Sequence, residues 1–122
     1  MPVGCSRGTV LQVNLDPSVG REIVKTRPCV VIQNDIGNQH SQLTIVAAIT
    51  GADNVKQRSP IHVAVAKGEG GLAKDSVVLC NQIRTVDQSR LGQVLGNFSG
   101  ATMRRIDAGL RISLALADSG NR

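Results

Sequence analysis

The chain has 122 residues, 41% of them hydrophobic and 19% charged, with a formal net charge of +5. That length predicts one domain spanning residues 1–122 with a self-sufficient core, and the positive balance favours an acidic partner. With Phe98 as its single aromatic residue, the chain excludes a core built on rings and any binding mode that stacks successive bases on Phe, Tyr or Trp.

Cys5, Cys29 and Cys80 make an odd count without Cys-x-x-Cys spacing. This argues against a disulfide scaffold and predicts reduced thiols, with Cys29 and Cys80 acting as small buried hydrophobes. His40 and His62 have no second ligand at a metal spacing, so neither a metal nor another cofactor is expected. No apolar run reaches membrane-spanning length, and the start lacks the charged-then-apolar pattern of a signal peptide. No membrane association is therefore expected, and the cytoplasm is the expected compartment.

Along the chain, Thr9–Leu15 reads as a first strand, ended by Asp16-Pro17-Ser18. Ser18–Thr26 is too polar for core and reads as a loop on the binding face. A second strand starts at Pro28, which suits a strand beginning or edge, and runs to Ile32. Asn34–Asn38 is rich in turn formers and reads as a turn. Leu43–Ile49 forms a third strand, followed by a Gly-Ala-Asp-Asn turn, a charged loop and a short strand at Ile61–Val65. Gly68–Gly71 reads as a turn, and two more short strands follow at Ser76–Leu79 and Gln82–Val86. Met103, Ile106, Leu110 and Leu114 recur at helical spacing, with Ser99 or Thr102 as the cap and Gly120 as the stop. Closely spaced short strands with one terminal helix predict a mostly β (α+β) fold, a compact antiparallel barrel.

Four segments carry more than fold information. They are Thr26-Arg27-Pro28 running into Cys29-Val-Val-Ile-Gln-Asn-Asp-Ile-Gly-Asn38, Ile45-Val-Ala-Ala-Ile-Thr50, Asp75-Ser-Val-Val-Leu79 and Asn81-Gln-Ile-Arg-Thr-Val-Asp87. Together, over a stretch from Arg7-Gly8 to Leu116, they resemble the MazF/PemK/Kid family of toxin endoribonucleases. The resemblance implies a small SH3-like, PemK–CcdB-type barrel with a C-terminal helix. It also implies a homodimer that cuts single-stranded RNA, chiefly messenger RNA, sequence-specifically and without metal. The chain would then be the toxin of a type II toxin–antitoxin pair, blocked by the C-terminal segment of a MazE-like antitoxin.

Metal-free cleavage requires the RNA's own 2′-hydroxyl to attack the adjacent phosphorus, while the enzyme holds the phosphate in line and neutralises charge on its oxygens. Arginine suits this task because its planar fork donates two parallel bonds to phosphate. The resemblance assigns the catalytic roles to Arg27 and Thr50, with products ending in a 2′,3′-cyclic phosphate and a 5′-hydroxyl. Because a guanidinium does not readily deprotonate, Arg27 is read as an electrostatic stabiliser and general acid; the residues leave the base open. The same resemblance points to Glu22, Ser76 and Gln82 as RNA contacts, and the charged loop adds Arg21 and Lys25. Arg21 and Lys25 would reach phosphates, Glu22 would assist proton transfer, and Ser76 and Gln82 would meet bases. His62, in Pro60-Ile-His62, and the Arg84/Asp87 pair are read as structural.

Two positions depart from the family pattern. Thr9 stands where an Asp commonly follows the first Arg-Gly, and Val24-Lys25 stands where Gly-Gly commonly precedes the arginine. The competing reading is a CcdB-like toxin of similar fold that binds and inhibits DNA gyrase without cutting RNA.

Overall fold

The computed structural model describes residues 5–17, 19–22 and 25–117. Its elements are strands β1 (Thr9–Asn14) and β2 (Thr26–Val31), helix α1 (Asp35–His40), strands β3 (Leu43–Gly51), β4 (His62–Val65), β5 (Ser76–Asp87) and β6 (Leu91–Asn97), and helix α2 (Gly100–Leu114). Short 3-10 turns at Ala52–Asn54, Glu69–Gly71 and Gln88–Arg90 connect them. The strands form one six-stranded sheet in the order β4-β5-β3-β2-β1-β6, with every pairing antiparallel. A mostly antiparallel β fold with a C-terminal helix is what the sequence predicts. The ladder runs open from β4 to β6, and the Glu69–Gly71 turn packs against the β6 edge. There Gly71 has φ +77, and a side chain on it would overlap the Leu95 carbonyl.

Successive strand residues point to opposite faces, and here both faces are buried. Val10, Val30, Ala47 and Ile49 join Val63, Val78, Cys80, Phe98, Ile106 and Leu110 in a core under α2. Their neighbours Leu11, Val13, Cys29, Val31, Val46 and Ala48 turn the other way and pack with Leu15, Val86 and Leu91. A sheet covered on both faces explains why the central strands read as near-continuous apolar runs rather than as alternation.

Three element assignments differ from the sequence reading. Asn34 does not open a simple turn. Its side chain accepts a bond from the Gly37 N–H at 2.7 Å and caps α1, the same capacity for local hydrogen bonding that makes Asn a turn residue. The two strands expected at 76–79 and 82–86 are one strand, β5. β3 pairs Ala48 with Leu79 but Ala47 with Ile83, so Cys80, Asn81 and Gln82 form a bulge that the sequence presents as a break. β6 is absent from the sequence reading because it lies at the sheet edge, half-buried at most, and contains Gly92 and Gly96, so neither alternation nor β-propensity marks it.

α2 begins where expected. The Ser99 hydroxyl accepts from the Thr102 N–H at 3.2 Å, and Ile106, Gly109 and Leu110 are buried. Glu69 adds a second cap, its Oε2 accepting from the Ser99 N–H and the Thr102 hydroxyl, each at 3.0 Å. Arg7 ties the helix to the strands, donating to the Ile32 carbonyl at 2.9 Å and to Asp107 at 2.6 Å. The helix ends at Ala115, in the left-handed region at φ 56; the expected stop at Gly120 lies outside the described residues.

Candidate active site

β2 and β3 set the site. Cys29 pairs with Ala48, Val30 with Ala47 and Val31 with Val46. Beyond that ladder Arg27 lies opposite Val13 of β1 and Thr50 opposite Val77 of β5, and both reach the same recess. The backbone entering β2 is held there by Lys25, whose N–H donates to Asp16 Oδ1 at 2.7 Å and whose carbonyl accepts from the Leu15 N–H at 3.1 Å. Lys25 has φ 68, in the left-handed region that favours glycine. This is one of the two positions where the family pattern has Gly; the other, Val24, lies outside the described residues.

Arg27 and Thr50 line a cavity of about 210 Å³ whose walls include Gln12, Pro28, Leu72, Lys74, Ser76 and Leu95. Thr50 also borders a second, more open cavity of about 540 Å³ with Arg21, Asn54, Lys56, His62, Asn81 and Gln82. The threonine is thus a wall shared by two recesses, the first mainly apolar and the second mainly polar. Its side chain is buried and oriented, since Thr50 Oγ1 accepts from Asn54 Nδ2 at 3.0 Å. A hydroxyl that accepts from an amide keeps its own proton for another acceptor. The β5 bulge places Asn81 and Gln82 on the second recess, as bulges beside functional sites commonly do.

Of the residues named from sequence, the fold brings Arg27, Thr50 and Ser76 around the first recess, and Arg21, Thr50 and Gln82 around the second. Ser76 is buried, and its hydroxyl donates to the Lys74 carbonyl at 2.8 Å, which orders the loop before β5. Glu22 and Lys25 line neither recess. The Glu22 carboxylate accepts from the Val19 N–H at 2.6 Å, closing its own turn. His62 Nδ1 accepts from the Ser59 N–H at 3.0 Å, a structural bond as expected. Arg84 donates to the Leu15 carbonyl at 3.0 Å, and Asp87 caps the Gln88–Arg90 turn through the Ser89 N–H at 2.8 Å. Both serve structure, each through a different neighbour.

Two residues in the recesses escape sequence reasoning. Asn54 sits in the turn directly after Thr50, and an amide side chain four residues beyond a candidate hydroxyl is the only sequence signal for it. Lys74 has none. The buried thiols take no part: burial pushes Cys29 up to about 12 and Cys80 to about 11, which leaves both protonated and unreactive. Among the described residues no group of three or more His, Cys, Asp or Glu side chains could hold a metal ion. A third recess, about 550 Å³ beside the end of α2, is lined mainly by Ile32, Ile45, Ile83, Leu110, Leu114 and Leu116. Its polar lining consists of Arg7 paired with Asp107 and of Arg111.

A small antiparallel sheet thus carries an arginine near the start of β2 and an oriented hydroxyl near the end of β3 on one recess. The chain belongs to the family of PemK-like, MazF-like toxins of type II toxin–antitoxin systems, whose model matches residues 6–114. It is 46% identical over 112 residues to endoribonuclease EndoA of Bacillus subtilis (strain 168), covering 92% of this chain and 96% of that protein. In fold it is similar to an endoribonuclease from a mycobacterial species solved in complex with its cognate antitoxin (TM-score 0.76, 23% identity, 93% of this chain and 97% of that one). It is equally similar to MazF from Deinococcus radiodurans (TM-score 0.76, 22% identity, 90% and 96%). These relationships favour the toxin-nuclease reading over the gyrase-inhibitor alternative.

Proposed function

We propose that the protein is a metal-independent endoribonuclease that cuts single-stranded RNA at preferred sequences and serves as the toxin of a toxin–antitoxin pair. The reading is supported by Arg27 and Thr50 lining one recess in a chain of this family. The 2′-hydroxyl gives its proton to water as its oxygen attacks phosphorus, the bond to the 5′-oxygen breaks, and the leaving oxygen takes a proton from Arg27, which water then reprotonates. The products are a 2′,3′-cyclic phosphate and a 5′-hydroxyl. Arg27 orients the phosphate, offsets the charge that builds on its oxygens and supplies the proton to the leaving group. Thr50, held by Asn54, donates its hydroxyl proton to a phosphate oxygen. Arg21 and Gln82, on the second recess, meet the flanking nucleotides, with Ser76 holding the Lys74 loop at the first. Lys25 and Glu22 belong to the loop that positions Arg27.

The functional unit is a homodimer acting in the cytoplasm, where its substrate is. Its antitoxin, bound through a C-terminal segment, would compete with RNA for the basic site, since a surface that attracts phosphates also attracts an acidic disordered peptide. The test is induced expression in bacteria. Wild type should arrest growth while messenger RNA is cut, and Arg27→Ala should do neither. Growth arrest by Arg27→Ala equal to wild type would instead indicate a toxin acting through another surface.

A further inference from the structure

Lys74 lines the same recess as Arg27, Thr50 and Ser76, although no motif marks it. It lies between the Glu69–Gly71 turn and β5, on a segment pinned from several sides. The Ser76 hydroxyl donates to the Lys74 carbonyl at 2.8 Å. The adjacent Asp75 accepts at its carbonyl from the Ala52 N–H at 2.9 Å and at its carboxylate from the Lys67 N–H at 2.8 Å. From this fixed backbone the side chain folds over Gly51. A Cβ built on Gly51 would stand 2.9 Å from both Cε and Nζ of Lys74. Gly51 has φ −62 and ψ 145, a conformation open to any residue, so the missing side chain provides room for the ammonium rather than backbone freedom. Among the described residues no carboxylate pairs with Lys74. An ammonium without a counter-ion, sharing a small recess with a guanidinium, is an arrangement that an anion stabilises.

We propose that Lys74 binds a phosphate of the RNA backbone next to the one being cut; this rests on the nuclease reading above. The division of labour follows from the two cations. Arginine's rigid fork suits the phosphate whose geometry changes, whereas lysine's compact charge on a flexible stem suits one that is only held. Removing a contact made equally in ground and transition states raises KM without lowering kcat.

The test uses the whole protein and three variants: Lys74→Gln removes the charge, Lys74→Arg keeps it, and Gly51→Ala keeps it but displaces it. Binding of an all-deoxy oligonucleotide, which lacks the attacking hydroxyl, is followed by fluorescence anisotropy across a salt series, alongside RNA cleavage kinetics. Lys74→Gln should weaken binding roughly fivefold, lower the slope of log affinity against log salt by about 0.7, and place the cleavage defect in KM. Gly51→Ala should weaken binding in the same direction with its charge intact, and Lys74→Arg should restore most of it. Unchanged affinity and slope in Lys74→Gln would overturn the proposal, as would a defect confined to kcat, which would put the ammonium on the reacting phosphate. Failure of wild type to cut RNA would overturn the nuclease reading itself, whatever the binding series showed.

Discussion

At the scale of single residues, the site turns on how a threonine hydroxyl is aimed. Thr50 is buried at the end of β3, and Asn54 donates to its oxygen at 3.0 Å, leaving the hydroxyl proton for a phosphate. Losing one preorganised donor to developing charge costs about 10²- to 10³-fold in rate. Thr50→Ala should fall in that range, and Asn54→Ala, which leaves the hydroxyl present but unaimed, should cost roughly tenfold in kcat with binding unchanged. In a Thr50→Ala background Asn54→Ala should add nothing, because the amide acts only through the hydroxyl; additive losses in that double-mutant cycle would contradict the assignment. Arg27 and Thr50 stand out in the sequence because each borders an apolar run that the family pattern fixes. Asn54 and Lys74 do not, because their nearness to Thr50 is created by a turn and by the β3–β5 register, neither of which is written in local composition.

At the scale of elements, legibility followed burial. β1, β2 and β3 are the most deeply buried strands and were read nearly to their ends, because an apolar run flanked by turn formers has few other meanings. The exposed edge strand β6 was invisible, and the β5 bulge was mistaken for a gap. That bulge is also what carries Asn81 and Gln82 to the second recess, so the feature hardest to read locally is one the site depends on. α2 was legible from its period and its Ser99 cap, but its second cap is tertiary. Hydrogen bonds from the Ser99 N–H and the Thr102 hydroxyl hold the Glu69 carboxyl below its ordinary 4.5. A carboxylate with a lowered folded value stabilises the fold above its unfolded value, and loses that effect as pH falls through the folded one. Glu69→Gln should therefore melt about 2–4 °C below wild type at neutral pH, with the gap closing below pH 4.5. A gap that persists unchanged into acid, followed by circular dichroism, would show that the carboxylate charge is not what caps α2.

At the scale of the whole molecule, a net charge of +5 and a nearly ring-free surface define how the protein can hold RNA. Without stacking platforms, backbone phosphates must supply most of the affinity, and their release of counterions makes binding steeply salt-dependent. Affinity of wild type for single-stranded nucleic acid should fall linearly in log–log form as salt rises; a flat response would contradict an electrostatic grip. On the proposed reading, the recess shared by Arg27 and Thr50 converts that grip into chemistry on one phosphate. The most direct test is cleavage of a long single-stranded RNA by the purified protein in excess EDTA, with Arg27→Ala alongside and the ends mapped by primer extension. The account predicts discrete cuts by wild type alone, leaving 2′,3′-cyclic phosphate and 5′-hydroxyl ends. Uncut RNA from folded wild type, or equal cutting by Arg27→Ala, would contradict it.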